Sequence, residues 1–246
     1  MMASNIKLSR LIKSRLHSPL LYLFIISVLL LFSTHENSII RTPLCNLGIC
    51  FYSASSNFWN SLFYDLSAGC VIAIIFYWVL VRWPEYRKRQ RTKRNLSAQY
   101  KAFKTACIEN FLAVADGSFN HGTAEKLIDV ESFRDYFNQD VGNGKERWDD
   151  VHNNMSQYYL DVTLSRMEIM KQEISFAMQT IDFSESESFE ILKRFSHAIT
   201  MQRNATDDYD ELKSFLGIFW ELFAGQSFDK GGYRDTDLIE DIIAAI

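Results

Sequence analysis

The chain has 246 residues, enough for a pair of membrane helices plus one soluble domain, and its formal net charge of −4 hides a steep asymmetry. Residues 1–94 hold twelve Lys/Arg against three Asp/Glu, a balance of +9, which leaves fourteen against twenty-seven, or −13, for residues 95–246. An acidic soluble part is a poor nucleic-acid binder because phosphate repulsion opposes the encounter, and three prolines with ten glycines favour long helices over an all-β fold.

Residues 1–15 form a basic N-terminus carrying Lys7, Arg10, Lys13 and Arg15. The first apolar run, Pro19 to Ser33, has no charge, yet fifteen helical residues cover only ~22 Å of a hydrocarbon core ~30 Å thick. The expected span therefore borrows its flanks, residues 16–35, with Arg15 and His17 reaching back to the headgroups. Ser18 before Pro19 marks a helix start, since Pro suits the first helical position. A cleaved signal peptide is the rival. The basic start fits both, but Phe32-Ser33-Thr34-His35-Glu36 offers only a weak cleavage site, so a retained anchor is expected.

Residues 36–62 read as a loop holding Cys45 and Cys50. In an oxidising compartment the two could form a disulfide, and two unpaired thiols are the alternative. Without further Cys or His partners they do not make a zinc site. A second span is expected over residues 63–83, around the apolar run Leu66 to Val81. Trp59, Phe63 and Tyr64 precede the run and Tyr77, Trp78 and Trp83 close it, like aromatic belts at two interfaces. Gly69 and Ala73 are spaced for close helix packing, although small residues also occur in membrane helices without that role. Asp65 abuts the run, as a headgroup-level carboxylate or as a pore-mouth group in an oligomer. Four cations precede the first span, Arg41 alone lies in the loop, and Arg82, Arg87, Lys88, Arg89, Arg91, Lys93 and Arg94 follow the second. That bias places both termini in the cytoplasm and the loop in the periplasm.

Residues 84–116 read as a basic stalk helix. Pro84 is expected to stop or kink the second span. Arg87, Lys88, Arg89, Arg91, Lys93 and Arg94 then form a juxtamembrane cluster suited to anionic lipid, with a polyanionic nucleic acid as the alternative. Leu96, Tyr100, Phe103, Cys107, Phe111 and Val114 step by four, three, four, four and three along one helix face, ended by Asp116-Gly117-Ser118.

Residues 117–246 read as a cytoplasmic helical domain. A helix is expected over 123–137 with Leu127, Val130, Phe133 and Phe137 inward, followed by a loop over 139–145. One long helical segment is expected from Arg147 to about Ile181, with Trp148, Val151, Met155, Tyr158, Val162, Ile169 and Ile174 as its core positions. Ser184-Glu185-Ser186-Glu187 looks like a capping box before a helix to about Arg203. A helix from Asp207 to Ala224 carries Phe215, Phe219, Trp220 and Phe223 and stops at Gly225, and a last helix covers 235–245. The fold expected is all-α: a two-helix transmembrane hairpin followed by an α-helical bundle.

Catalytic signatures are scarce. There is no phosphate-cradling Gly loop with Lys-Ser/Thr, no Gly-x-Ser-x-Gly elbow and no His-Glu-x-x-His. His121, His152 and His197 lie on separate segments without partners nearby. Asp149 and Asp150 point to different faces, and Asp207, Asp208, Asp210 and Glu211 sit at a helix start, where negative charge is favourable anyway. No catalytic residue, metal, cofactor or small-molecule substrate is expected.

The stretches Phe63-Tyr64-Asp65-Leu66, Ile75-Phe76-Tyr77 and Trp83-Pro84-Glu85 with its Arg/Lys-rich continuation cover residues 58–100. They resemble small bacterial inner-membrane proteins with two spans and a cytoplasmic helical domain. In particular they are similar to the two-transmembrane effector encoded beside a reverse transcriptase in retron anti-phage systems. The resemblance implies a toxin-like role in abortive infection. A reverse transcriptase with its RNA–DNA product restrains the effector until phage attack frees it to damage the inner membrane. No site residue carries over. Two spans cannot enclose a pore, so conductance implies a homo-oligomer. The alternative function is a membrane-anchored scaffold or sensor subunit whose helical bundle binds a protein partner.

Overall fold

The computed structural model describes residues 19–34, 57–117, 121–142, 144–181, 183, 186–226 and 232–246. The described chain is mostly helical and divides into two compact units, Met1–Tyr86 and Arg87–Ile246.

In the first unit, α1 spans Pro19–Thr34 and α2 spans Asn57–Tyr77, and the two pack on each other. Pro19 opens α1, where its missing N–H costs nothing. The expected start at Ser18 lies outside the described residues. Helix α2 begins at Asn57, within what reads as loop, rather than at residue 63. Among the described residues of this unit the buried side chains are small and polar, Ser27 at 6 % exposure and Ser67 at 4 %, while Leu20, Ile26, Ile72 and Phe76 face outward. Among the described residues a single helical stretch, Ser61–Asp116, is long and apolar enough to cross a membrane, whereas α1 has only 16 residues.

Pro84 does not stop the helix. A π-helical turn, Trp78–Arg82, follows α2, and α3 then spans Trp83–Asp116. Proline has no N–H for the carbonyl four residues back, and its ring crowds that carbonyl. Just before it the ladder widens, so that the Trp83 N–H reaches the Trp78 carbonyl five residues back. The Trp78 and Trp83 rings meet edge to face at 5.9 Å.

The second unit surrounds one core. Helix α3 buries Leu96, Tyr100, Phe103, Cys107, Phe111 and Val114, the face its spacing predicts, and ends at Asp116, where Gly117 takes φ 68°. The helix expected over 123–137 is two: α4, His121–Lys126, and α5, Val130–Phe137. The break falls at Asp129, whose carboxylate accepts from the Ser132 N–H at 2.9 Å and so starts α5. In place of the loop expected over 139–145 is an antiparallel ribbon of β1, Asp140–Gly142, and β2, Lys145–Glu146.

The long segment expected from Arg147 is also two helices: α6, Arg147–Asn154, and α7, Gln157–Thr180. Met155 is extended (ψ 106°) and buried, and Ser156 holds the N-cap position of the restart without a side-chain bond. The break shifts the helical phase. Tyr158 and Ile169, expected inside, turn outward at 69 % and 49 % exposure, Val162 is half-buried, Ile174 is buried as expected, and Leu160, Thr163, Met167, Met170 and Ala177 fill the core side with it.

Helices α8, Ser186–Met201, α9, Tyr209–Phe223, and α10, Leu238–Ala245, complete the unit. The capping box expected at Ser184 lies outside the described residues. Asp208 caps α9 through the Asp210 N–H, and Gly225 at φ 73° follows it. Phe111, Phe133, Phe219 and Phe223 sit at 0 % exposure in a mesh of mostly edge-to-face and tilted rings, with the Phe111–Phe219 centroids 5.1 Å apart.

Candidate functional site

Asp65, Gly69 and Ala73 recur every fourth residue on α2, hence along one stripe, and all three are exposed. A Cβ built on Gly69 meets no atom within 4 Å. The face of α2 that is covered carries Ser67, Cys70, Val71 and Ile74 instead. The small-residue stripe is thus not what joins α1 to α2. Cys45 and Cys50 lie outside the described residues, and Cys70 and Cys107 are free. Burial pushes the Cys107 thiol far above its usual range, which removes its nucleophilic form.

The cationic segment at the start of α3 divides. Arg89 Nε donates to the Ile246 carbonyl at 2.7 Å, and Lys93 Nζ donates to the Ala244 carbonyl at 2.6 Å. These carbonyls end α10 and lack partners along the helix, so two of the cations expected to meet lipid also satisfy a helix C-terminus. Arg87, Lys88, Arg91 and Arg94 remain exposed.

The other end of α10 is fastened to the same helix. Asp237 accepts from the Ile239 and Glu240 N–H groups as the cap of α10, from the Tyr100 hydroxyl at 2.9 Å and from Lys104 Nζ at 2.6 Å. Lys104 and Asp237 side chains are 0 % and 4 % exposed, and Lys104 Nζ lies 5.3 Å from the centre of the Phe223 ring. Burial first, then the Asp237 carboxylate, holds the Tyr100 hydroxyl well above its usual range, so it remains a donor. Burial also raises Glu240. Lys104 sits one turn after Tyr100 on the inward face of α3, but its sequence context gives no sign of a partner 133 residues away.

A groove of about 1010 Å³ opens between α6 and α9. Trp148, Tyr209, Trp220 and Tyr233 line it, as do the carboxylate-bearing Glu146, Asp149, Asp210 and Glu221 and one cation, Lys213. His152 lies among them, its ring edge-on to Tyr209 at 4.9 Å, and its Nε2 finds no hydrogen-bond partner among the described residues. Asp149 is not free for other work, because it closes a capping box on the Glu146 N–H at 3.0 Å. Beside the groove, Arg147 stacks 4.2 Å from the Tyr136 ring centre and pairs with Asp116 at 3.2 Å. Burial and Asp116 raise the Tyr136 hydroxyl.

Among the described residues no group of His, Cys, Asp and Glu is gathered for a metal. His197 is exposed on α8, apart from His152 on α6. No family model matches the chain, and no curated protein and no solved structure matches it.

Proposed function

We propose that the chain is a membrane-embedded effector of bacterial antiviral defence, of the retron abortive-infection kind it resembles. It is not an enzyme. On this reading it crosses the inner membrane twice, at 16–35 and 63–83, keeps both termini in the cytoplasm, and perturbs that membrane once released by a reverse transcriptase and its RNA–DNA product. The observation that supports the reading most is the outward stripe of Asp65, Gly69 and Ala73, left uncovered by α1. An assembly that conducts needs several copies in close contact, and small residues permit that contact in lipid. The polyanionic inhibitor would meet the exposed cations Arg87, Lys88, Arg91 and Arg94 rather than the acidic remainder of the unit.

The test is induced expression of the full chain without partners, read with a membrane-potential dye. Depolarisation and growth arrest are expected, with relief when Gly69→Leu closes the stripe at equal membrane abundance. Abundant insertion with an intact potential would sink the proposal. A periplasmic reporter fused after residue 246 is expected to be silent.

The groove between α6 and α9 favours a second reading, a membrane-anchored scaffold or sensor. Four aromatic rings beside four carboxylate-bearing residues suit a basic segment of a protein partner. Here the expectation is that Asp210→Lys abolishes partner capture and leaves insertion unchanged.

A further inference from the structure

Helix α7 has a second apolar seam beside the one it buries. Val162, Ile169 and Phe176 recur every seventh residue, and Tyr158 precedes them by one turn. Seven residues fall about 20° short of two full turns, so the row stays on one face over ~27 Å of helix. Tyr158, Ile169 and Phe176 are 69 %, 49 % and 54 % exposed, and Val162 is half-buried. Single exposed apolar residues are ordinary, but a row on one helix is a contact surface. Its narrowness fits another helix, with Val162, Ile169 and Phe176 as knobs at one seam position and Ser165 and Gln172 at the other.

The flanking charges select the occupant. Arg166 and Glu173 border the seam on one side, Asp161 and Glu168 on the other. If two copies of α7 cross antiparallel about Ile169, Arg166 of each faces Glu173 of the other, Val162 meets Phe176, and Ser165 meets Gln172. The one like-charged approach is Glu168 across the axis, and each Glu168 already pairs with its own Lys171 at 3.3 Å. A parallel pair gains Asp161–Arg166 contacts but sets Glu168 against Glu173 twice. We propose that this exposed seam of α7 is where two copies of the chain pair, antiparallel about Ile169. Glu173 already accepts from Asn95 at 2.8 Å, which holds it in place beside the seam. One helix pair is small beside the about 1,200 Å² that independent complexes need, so pairing is expected where chains are concentrated, as on one bilayer. It is independent of whether the first unit conducts or only anchors.

The test is oxidative cross-linking of the full chain in membranes, each variant compared with the unmodified chain because that chain has four cysteines of its own. Ile169→Cys is expected to raise the dimer several-fold. Val162→Cys and Phe176→Cys chains, differently tagged and coexpressed, are expected to cross-link with each other and not with themselves. Arg166→Glu should abolish the Ile169→Cys dimer, and adding Glu173→Arg should restore it. Self-linking of Val162→Cys would replace the antiparallel pair with a parallel one. A yield no higher than the unmodified chain's, or no rescue by the charge exchange, would overturn the proposal.

Discussion

The two units of this protein bury opposite kinds of residue. Among the described residues of Met1–Tyr86 those under cover are Ser27 and Ser67, and large apolar side chains face out, Leu80 at 68 % and Ile72 at 55 % exposure. In Arg87–Ile246 the fully covered residues include Tyr100, Phe111, Phe133, Phe215 and Phe219, with Lys104 as the one cation among the largest. The hydrophobic effect accounts for the second pattern, since water expels apolar area at roughly 25 cal/mol per Å². It cannot account for the first in water. In the proposed function that surface faces lipid, where apolar exposure costs nothing and helices join through small side chains.

The sharpest break of this comparison is in the polar interior of the second unit. Lys104→Ala leaves the Asp237 carboxylate buried without its cation, and is expected to cost about 3–5 kcal/mol in thermal unfolding of the full chain. Replacing both partners with apolar residues should cost much less. Phe219→Ala, in the ring mesh, is expected to cost about 3–5 kcal/mol, whereas Ile72→Ala on the outer face of α2 should leave unfolding in lipid nearly unchanged. A large effect at Ile72 would end the claim that the units answer to different solvents.

The glycines sharpen the contrast at smaller scale. Gly225 stands at φ 73°, and a Cβ there would meet the Arg234 carbonyl oxygen at 2.6 Å. Gly225→Ala is expected to cost about 1–3 kcal/mol, and Gly69→Ala, with nothing within 4 Å, none within the first unit. Smallest is the cap of α5. Asp129→Ala is expected to cost about 1 kcal/mol. Its bonds from the Ser132 N–H and hydroxyl hold the Asp129 carboxyl below its ordinary value of 3.8. That stabilisation is therefore complete above the ordinary value and is lost as pH falls through the lowered one. Acid titration of Asp129→Asn should decline less steeply below about pH 4 than the parent.

Much of the helical plan was legible from periodicity and caps. The inward face of α3, the stop at Asp116 and Gly117, and the stop of α9 before Gly225 are local signals and appear where read, while α9 starts at Tyr209 rather than Asp207. What failed was phase. An extended Met155 between Asn154 and Ser156 separates α6 from α7 and shifts the phase of the positions that follow, although Ile174 stays inside as read. Tyr158 and Ile169 therefore face out while Leu160 and Met167 face in. The groove was invisible because its rings and carboxylates come from separate elements.

By itself the sequence determined a helical protein with a basic, apolar first part and an acidic second part, because helix period, Pro and Gly punctuation and charge are properties of neighbours along the chain. Only the tertiary structure decided that Arg89 and Lys93 close the C-terminus of α10 while Tyr100 and Lys104 hold Asp237 at its start. It also decided that Gly69 and Ala73 face away from α1. Those outcomes depend on which surfaces meet after the chain has folded back over more than a hundred residues, and a buried cation finds its partner through desolvation and space rather than through spacing.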